Sequence, residues 1–418
     1  MSDAGAGQGG DDDEQIVCTI EGNRLRVIAQ GPELLEALVT LIDGAQRSLK
    51  LFYYIFESDL SGRRVLARLI RALRRGVTVT LMIDAFGSSG AEEGFFNSFI
   101  GAGGRFGLFG ARRSTRYLIR NHQKIALADD SALMIGGFNI GDAYFGLPGE
   151  DCWHDLGLLI EGPQVTPMVR WYGQMWHWVS SRKQRFGTLR AMVRQWRRRG
   201  EGRGGGFRGA GGREEGKSAF RWLIGGPTRL LSPWARVVKH DLEHARRLHM
   251  IEAYFSPGQG MLRRIGAIAA RAGGSAGEGA RLVMPARSDN GATVGAARLL
   301  YGPLLKRGVE IFEYQPCKLH MKLIVIDDAV YIGSANFDMR SLFLNLEVML
   351  RVEDVDFARR MIAFVDRRVA DSREITQAVQ RQRRNPLTLA KWWISYLLVG
   401  VLDYTVTRRL NFRYNRED

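Results

Sequence analysis

The sequence predicts an α/β protein built from two similar domains, each with a mixed, mostly parallel β-sheet flanked by helices. Three observations support this fold class. Helical and strand-like patterns alternate along the first half of the chain, the same order returns in the second half, and each half ends in a similar polar motif. Strands that alternate with helices pair mainly in parallel, because the helix carries the chain back across the sheet.

In the first half, two segments have apolar residues at helical spacing, and each is followed by a continuous apolar run typical of a buried strand. The predicted order is a helix over 32–45, a strand over 48–56, a helix over 62–75 and a strand over 77–83. The second helix has the clearest pattern, since its leucines lie on one face and its arginines on the other.

The second half repeats this order. The sequence predicts helices over 230–245, 260–271 and 294–307, and strands over 250–255, 281–284 and 309–314. An internal repeat of this length indicates two similar α/β halves, because a solenoid has a much shorter repeat.

Each half then continues with a His-x-Lys strand, a turn and a second strand. Residues 121–129 read Asn-His-Gln-Lys-Ile-Ala-Leu-Ala-Asp, and residues 319–327 read Leu-His-Met-Lys-Leu-Ile-Val-Ile-Asp. Side chains alternate along a strand, so each histidine shares a face with its lysine. Gly-Gly-Phe-Asn and Gly-Ser-Ala-Asn follow the second strands. A single His-x-Lys is more typical of a solvated edge strand, but two matching copies indicate a functional pair.

The two His-x-Lys-(x)4-Asp motifs resemble the signature of the phospholipase D superfamily, and the resemblance extends over residues 34–352. It implies two similar domains with the active site between them. One departure is visible: six residues separate Asp129 from Gly136, whereas five separate Asp327 from Gly333. This leaves open whether Asp327 or Asp328 takes the motif position. The resemblance implies a catalytic set of His122, Lys124, Asp129, His320, Lys322 and Asp327.

These residue types suit phosphodiester exchange. One histidine can attack phosphorus while the other protonates the leaving alkoxide, and the lysines stabilise charge on the phosphate oxygens. In two-motif relatives the first histidine attacks, which implies a phosphohistidine on His122 with His320 as acid and base. Asn139, Ser334 and Asn336 are the expected substrate-binding donors. We expect no metal and no cofactor, because the sequence shows no cluster of carboxylates or cysteines with metal-ligand spacing.

A histidine that attacks or protonates needs a partner on its other ring nitrogen, which fixes the tautomer. Asp155 and Glu347 lie in corresponding segments after the two motif asparagines. In the superfamily an acidic residue at these places orients the motif histidine. The resemblance therefore implies this orienting role for both carboxylates, while Asp129 is expected to bond turn or backbone groups.

Composition limits the class of partner. The formal charge of +16 indicates an anionic partner, either nucleic acid or an acidic membrane surface. The three cysteines, Cys18, Cys152 and Cys317, have neither pairing nor metal spacing, which is typical of a reducing compartment.

The chain divides into five predicted segments. Residues 1–15 are Gly/Ala-rich and then acidic, and we expect them to be disordered, with neither a signal peptide nor an anchor. Residues 16–196 form the first phospholipase D-like domain and 218–385 the second. A Gly/Arg-rich flexible linker, 197–217, joins them. Residues 386–418 are a basic, Trp-rich segment that we expect to associate with a membrane.

Two stretches carry the membrane prediction. Residues 165–196 contain four tryptophans and a tyrosine among many arginines, and residues 390–402 are an apolar run that includes two tryptophans. The second run is shorter than the ~20 residues that a spanning helix needs. An interfacial segment is therefore favoured, with a terminal helix docked on the core as the alternative.

Further segments, 136–146, 153–155, 160–163 and 341–347, resemble bacterial cardiolipin synthases. That resemblance implies transfer of a phosphatidyl group to phosphatidylglycerol by a peripheral enzyme on the cytoplasmic face of the membrane, with anionic phospholipids rather than nucleic acid as partners. We expect none of the N-terminal transmembrane helices that many such synthases carry, as in the shorter branch of these enzymes. The alternatives are hydrolysis, as a phospholipase D or a metal-independent nuclease, and a non-catalytic membrane or nucleic-acid binding scaffold. The oligomeric state stays open.

Overall fold

A computed structural model of the chain describes residues 16–110, 119–146, 151–181, 184–201, 218–227, 231–273 and 278–402. The predicted disorder of 1–15 lies outside these ranges, as do most of the predicted linker over 197–217 and the last part of the predicted membrane segment.

The first half contains a sheet and the helices that cover it. Its strands are β1 (Ile16–Ile20), β2 (Asn23–Ile28), β3 (Ser48–Tyr53), β4 (Thr78–Asp84), β5 (Arg105–Phe109), β6 (Ile125–Ala128), β7 (Ala132–Gly136), β8 (Trp153–His154) and β9 (Gly157–Glu161). Its helices are α1 (Gly31–Gly44), α2 (Leu60–Arg74), α3 (Asn97–Gly101), α4 (Asp142–Phe145), α5 (Val165–Ser180) and α6 (Phe186–Glu201).

The second half has the same plan. Its strands are β10 (Phe220–Ile224), β11 (Arg247–Glu252), β12 (Phe255–Ser256), β13 (Gly279–Pro285), β14 (Glu310–Tyr314), β15 (Lys318–Leu319), β16 (Lys322–Ile326), β17 (Ala329–Gly333), β18 (Phe337–Asp338), β19 (Val348–Glu353) and β20 (Ser372–Glu374). Its helices are α7 (Pro233–His244), α8 (Gln259–Ala272), α9 (Gly291–Leu305), α10 (Met339–Phe343), α11 (Val355–Ala370), α12 (Gln377–Arg383) and α13 (Pro386–Tyr396), and a π-helical segment follows over Leu397–Leu402.

Strand order shows that the two halves are structural repeats. The first eight-stranded sheet runs β1-β2-β9-β7-β6-β3-β4-β5, and the second runs β10-β19-β17-β16-β11-β13-β14-β20. The strands β9-β7-β6-β3-β4-β5 thus correspond in order to β19-β17-β16-β11-β13-β14. The prediction of two similar α/β domains with mixed sheets is confirmed.

The expected predominance of parallel pairing needs a correction. Parallel pairs join β3 to β4 and β4 to β5, and likewise β11 to β13 and β13 to β14. In each half the motif strands instead form an antiparallel hairpin, β6–β7 in the first half and β16–β17 in the second. The first strand of the hairpin also pairs antiparallel with its other neighbour, β6 with β3 and β16 with β11. The physical reason is the connection: a tight turn reverses the chain, whereas only a crossover helix returns it in parallel.

Helices and sheets alternate in layers. One apolar cluster packs α1 and α2 on the outer face of the first sheet, and another packs α7, α8 and α9 on the outer face of the second. A central cluster combines residues of both sheets with α5, α6 and α11. The two sheets therefore share a core, which holds the motif strands of one half close to those of the other.

The tryptophans of 165–196 belong to this shared core. Trp171, Tyr172 and Trp178 on α5 are buried, and the indole of Trp171 donates to the Gln123 side chain at 3.0 Å. The prediction that this stretch faces a membrane is wrong, because its aromatic face fills the space between the sheets.

The sequence predicts residues 390–402 to be either an interfacial membrane segment or a helix docked on the core, and the C-terminal helix has features of both. Helix α13 packs along α9, where Trp392 is buried and the close approach of Ser395 requires the small residue Gly295. Its other face carries the exposed side chains of Trp393 and Ile394. Within the described residues, no helix combines the length and apolar character needed to cross a bilayer.

Candidate active site

The two motif segments meet across the boundary between the halves. Strand β15, just before His320, pairs in parallel with β8, and the backbone N–H of His320 donates to the His154 carbonyl at 2.8 Å. In the equivalent place, the backbone N–H of His122 donates to the Leu346 carbonyl at 2.9 Å. Both histidines precede β6 and β16 instead of lying within them. Each motif is therefore anchored by backbone of the opposite half.

The imidazole of His122 is oriented by the second half of the chain. Its Nδ1 lies 3.0 Å from the Ser334 carbonyl oxygen and 3.1 Å from Oε2 of Glu347. Both partners are acceptors, so Nδ1 carries the ring proton of the neutral imidazole. This tautomer leaves Nε2 of His122 with a lone pair.

The imidazole of His320 is oriented by the first half. Its Nδ1 lies 2.5 Å from Oδ2 of Asp155 and 2.8 Å from Nζ of Lys322. The carboxylate is the acceptor of the pair, which again places the proton on Nδ1. The structure thus brings Asp155 to His320 and Glu347 to His122, the geometry that the predicted orienting role requires.

Hydroxyl groups hold Glu347 in place. Oγ of Ser334 donates to Glu347 at 2.6 Å and Oγ of Ser341 donates at 2.8 Å. A serine hydroxyl has one proton to donate. The expectation that Ser334 binds substrate through its hydroxyl therefore needs correction, since that proton is directed to Glu347 while the Ser334 carbonyl accepts from His122.

Gly137 occupies the position that corresponds to Ser334, and the first half needs a glycine there. A Cβ on Gly137 would lie 2.3 Å from Oδ1 of Asp155 and 2.9 Å from Cδ of Lys322. Such approaches are well inside van der Waals contact, so a side chain would displace the carboxylate or the lysine.

The two motif lysines are buried beside the histidines. Nζ of Lys124 donates to the His122 carbonyl at 2.7 Å, and Nζ of Lys322 contacts the His320 carbonyl. Lys124 also lies 5.3 Å from the ring centroid of Tyr54. Two ammonium groups are thus held next to the two imidazoles, where they can stabilise an anion.

Burial makes the pKa values of these groups unusual. It lowers the pKa of Lys322 to about 8 and that of Lys124 well below its usual value. Burial, with the charge of Lys322, lowers the pKa of His320 to about 4, and burial and Lys124 lower the pKa of His122. Without an additional anion, both imidazoles are therefore neutral near pH 7.

The two orienting carboxylates stay ionised despite their burial. Burial acts to raise the pKa of Asp155, but the charges of Lys322 and His320 bring it below its usual value. Burial acts in the same way on Glu347, and the contact with His122 and the charge of Lys124 again lower the pKa. Two ionised carboxylates are therefore held beside the two lysines, whose pKa values burial lowers.

The motif aspartates lie at the other end of their strands. Asp129 accepts from the backbone N–H groups of Gln46, Arg47 and Ser48 at 2.7–2.8 Å. Asp327 accepts from the backbone N–H groups of Arg246 and Arg247 at the start of β11, and so takes the structural position that the sequence left open between Asp327 and Asp328. Both aspartates bind backbone N–H groups at turns, as expected for Asp129, so their place in the catalytic set is corrected.

The two motif asparagines differ in how far their amide groups are already hydrogen-bonded within the protein. Asn139 is held inside the first half, since its Oδ1 accepts from the Ile55 N–H at 3.1 Å and its Nδ2 donates to the Tyr144 hydroxyl at 2.7 Å. Oδ1 of Asn336 is buried without a partner among the described residues. Of the pair, Asn336 is the one whose amide is not committed within the described part of the protein, and only its Nδ2 can donate to a phosphate oxygen, because Oδ1 is an acceptor.

Sequence reasoning missed several residues around the histidines. Oδ2 of Asp84, at the end of β4, accepts from the N–H of Asn121 at 2.8 Å and so fixes the segment that carries His122. Glu252 is buried opposite Lys322 in the sheet, and burial raises its pKa well above the usual value. An acidic residue at the end of an otherwise apolar strand was the available signal in both cases.

A group with metal-ligand geometry lies elsewhere. Within the described residues, His240, Glu243 and His244 on α7 place ligand atoms close together. Glu243 is already paired with Arg264. No motif residue belongs to this group.

Comparisons with known proteins agree with this architecture. A family described as "Cardiolipin synthase, PLD-like domain" matches residues 38–176 and 238–369. Cardiolipin synthase A of Pseudomonas fluorescens is 26% identical over 370 residues, which are 87% of this chain and 72% of that protein. Major cardiolipin synthase ClsA of Bacillus subtilis is 27% identical over 393 residues, or 91% of this chain and 76% of that protein.

A solved structure supports the fold. Phosphatidylserine synthase of Haemophilus influenzae superimposes with a TM-score of 0.67 at 13% identity, over 90% of this chain and 95% of that one. The family match covers both structural repeats and includes both histidines and the carboxylates that contact them, Asp155 and Glu347. The chain therefore belongs to the family of cardiolipin synthase, PLD-like domains.

Proposed function

We propose that the protein is a phosphatidyltransferase that makes cardiolipin by transferring a phosphatidyl group to phosphatidylglycerol through a phosphohistidine intermediate. The observation that carries this proposal is the pair of buried imidazoles, each with its Nδ1 fixed on a carboxylate of the opposite half. The cardiolipin synthase relatives supply the substrate class.

In the first step, Nε2 of His122 attacks the phosphorus of the donor phospholipid. The bond between phosphorus and the headgroup oxygen breaks, and His320 gives that oxygen a proton. For this, His320 must be protonated when substrate is bound. The negative charge of the phosphodiester raises the pKa of a nearby imidazole, so substrate binding itself favours the protonated form.

In the second step, a glycerol hydroxyl of phosphatidylglycerol attacks the phosphohistidine. His320 takes the hydroxyl proton, the new P–O bond forms, and the P–N bond breaks to restore His122. With phosphatidylglycerol as donor too, two molecules give cardiolipin and glycerol. Lys124 and Lys322 stabilise the charge on the nonbridging oxygens, and Asn336 is available to donate to them.

The enzyme then acts at a membrane surface, because its substrates are bilayer lipids. We place it on the cytoplasmic face as a peripheral protein, attached in part by the segment 386–418. The formal charge of +16 favours anionic phospholipid surfaces.

Product analysis tests this function. Purified protein incubated with phosphatidylglycerol vesicles should yield cardiolipin and glycerol, as measured by mass spectrometry. Phosphatidic acid without cardiolipin would identify a hydrolase instead. Acid-labile phosphate should map to His122, and His122→Ala should lower turnover by several orders of magnitude. An adduct on His320 would reverse the two roles, and full activity of His122→Ala would overturn the mechanism.

A further inference from the structure

A basic cavity lies between α9 and the C-terminal helices α12 and α13, outside the histidine site. Its volume is about 540 Å³, within the range of small-molecule sites. The start of α9 forms one wall, and Thr388, Lys391 and Trp392 of α13 form another. The nearby loop contributes Arg287 and Ser288.

The charge of this cavity is positive. Arg298 and Arg383 both pair with Glu313, at 2.8 and 3.0 Å, so two guanidinium groups share one carboxylate. Arg287 donates to the Pro316 carbonyl at 2.8 Å, and Lys391 makes no ion pair with any described residue. Three positive charges are therefore available to an anion. They are one of the two charges that share Glu313, and those of Arg287 and Lys391.

An apolar face adjoins the cavity on the same helix. Leu387 lies one turn before Lys391 and Ile394 one turn after it, and Leu398 follows in the π-helical segment that continues α13; all three are exposed, as is Trp393 at 57%. The cations thus lie at the border of an apolar stripe. This arrangement complements an anionic lipid in a bilayer, whose negatively charged phosphate lies directly above its apolar acyl chains.

The cavity also lies close to the side of the active site that carries His320. Ser288, which lines it, donates to Asp289 at 2.9 Å, and the hydroxyl of Tyr254 donates to the same carboxylate at 3.3 Å. The ring of Tyr254 lies 6.0 Å from that of His320. One short loop therefore connects the basic cavity to the wall of the histidine site.

We propose that this cavity binds the phosphate-bearing headgroup of an anionic phospholipid in the bilayer, while the exposed face of α13 enters the acyl region beside it. Arg287 and Lys391 contact the phosphate, and Leu387, Ile394 and Leu398 contact the chains. The bound lipid lies next to the His320 side, where a phospholipid substrate is needed. The choice of phosphatidylglycerol as the lipid rests on the proposed function; the site itself is separate from the two histidines.

Vesicle sedimentation with the full chain tests the site. The vesicles contain one part phosphatidylglycerol to three parts phosphatidylcholine, or phosphatidylcholine alone. Arg287→Gln with Lys391→Gln should weaken binding to the anionic vesicles about thirtyfold at low salt, since each cation near the surface contributes about fivefold. The difference should shrink at high salt. Arg263→Gln with Lys306→Gln removes the same charge from exposed positions elsewhere and should bind almost like the original chain.

A second variant separates the apolar contact from the charge. Ile394→Ser with Leu398→Ser should weaken vesicle binding at low and high salt alike, because burial of apolar surface is not screened. Both side chains are exposed, so thermal unfolding should stay close to that of the original chain. Truncating α13 would be a poorer test, because it would uncover α9.

Two outcomes would overturn the proposal. One is equal binding of anionic vesicles by the Arg287/Lys391 variant and the Arg263/Lys306 control. The other is a dimer, seen by analytical ultracentrifugation, that Ile394→Ser with Leu398→Ser dissociates without changing vesicle binding; the apolar face would then join two copies of the chain. Neither result depends on cardiolipin formation, so this proposal and the proposed reaction fail separately.

Discussion

Nδ1 of His122 lies 3.1 Å from Oε2 of Glu347, so the histidine of the first half is held by a carboxylate of the second. The reverse pair, His320 with Asp155, crosses the boundary in the other direction. Neither half therefore has a complete site. Any motion that separates the halves removes the fixed tautomer from both histidines together.

Replacing the orienting carboxylates by amides should lower kcat to different extents. An amide can donate to Nδ1, which moves the ring proton to Nε2 and blocks its reaction. His122 retains the Ser334 carbonyl as acceptor, whereas His320 has Lys322, a donor, as its other Nδ1 neighbour. We expect about 10²-fold loss for Glu347→Gln and about 10⁴-fold for Asp155→Asn.

Glu353→Gln is the matched control for these amide variants. It makes the same change at an exposed position on β19 and should keep kcat nearly unchanged. Circular dichroism should be used to normalise activity to folded protein, because an unpaired buried charge also destabilises. Equal activity of Glu347→Gln and the control would contradict the orienting role.

A methyl group at Gly137 should damage the site without changing any polar residue. The added Cβ of Gly137→Ala would meet Asp155 and Lys322, and we expect kcat to fall at least tenfold as the carboxylate moves. Gly173→Ala on α5 is the control, since a Cβ there meets nothing within 4 Å. Gly173→Ala should be active and stabilised by about 0.5–1 kcal/mol, because alanine favours a helix interior. An unimpaired Gly137→Ala would show that the packing around Asp155 is adaptable.

Activity should fall as the pH rises through about 8. Burial lowers the pKa of Lys322 to about 8, so its charge is present below that pH and lost above it. The measurement is kcat/KM for a soluble phosphodiester between pH 6 and 10, which reports free-enzyme pKa values. Lys322→Arg should have a lower maximum but no alkaline limb near pH 8, because arginine stays charged. An unchanged limb in Lys322→Arg would assign it to another group.

Asp129→Asn should affect stability more than catalysis. Asp129 accepts three backbone N–H groups and has φ of 52°, a conformation that asparagine also tolerates. Loss of the charge-assisted bonds should lower the free energy of unfolding by about 1 kcal/mol, measured by urea denaturation. The folded fraction should keep nearly full kcat. A loss of kcat beyond tenfold in folded protein would return Asp129 to the catalytic set.

Local patterns predicted much of the fold. The helices over 32–45 and 62–75 are present as α1 and α2, and the predicted strands over 48–56 and 77–83 are present as β3 and β4. Helical spacing and apolar runs suffice there, because each element buries one side in its own half. The same local signal failed for 165–196: an aromatic helix face looks alike whether lipid or a second sheet covers it.

The sequence by itself determined the repeat, the two His-x-Lys motifs and the candidate carboxylates, since these depend on residue type and spacing along the chain. Only the tertiary structure decided that Glu347 contacts His122, that Asp155 contacts His320, that the Ser334 hydroxyl donates to Glu347, and that Asp327 instead of Asp328 binds the backbone at its turn. The physical reason is that these contacts join residues that are separated along the chain, and the two contacts that involve the histidines cross from one half to the other. Which partner each side chain meets is set by how the two sheets pack around their shared core.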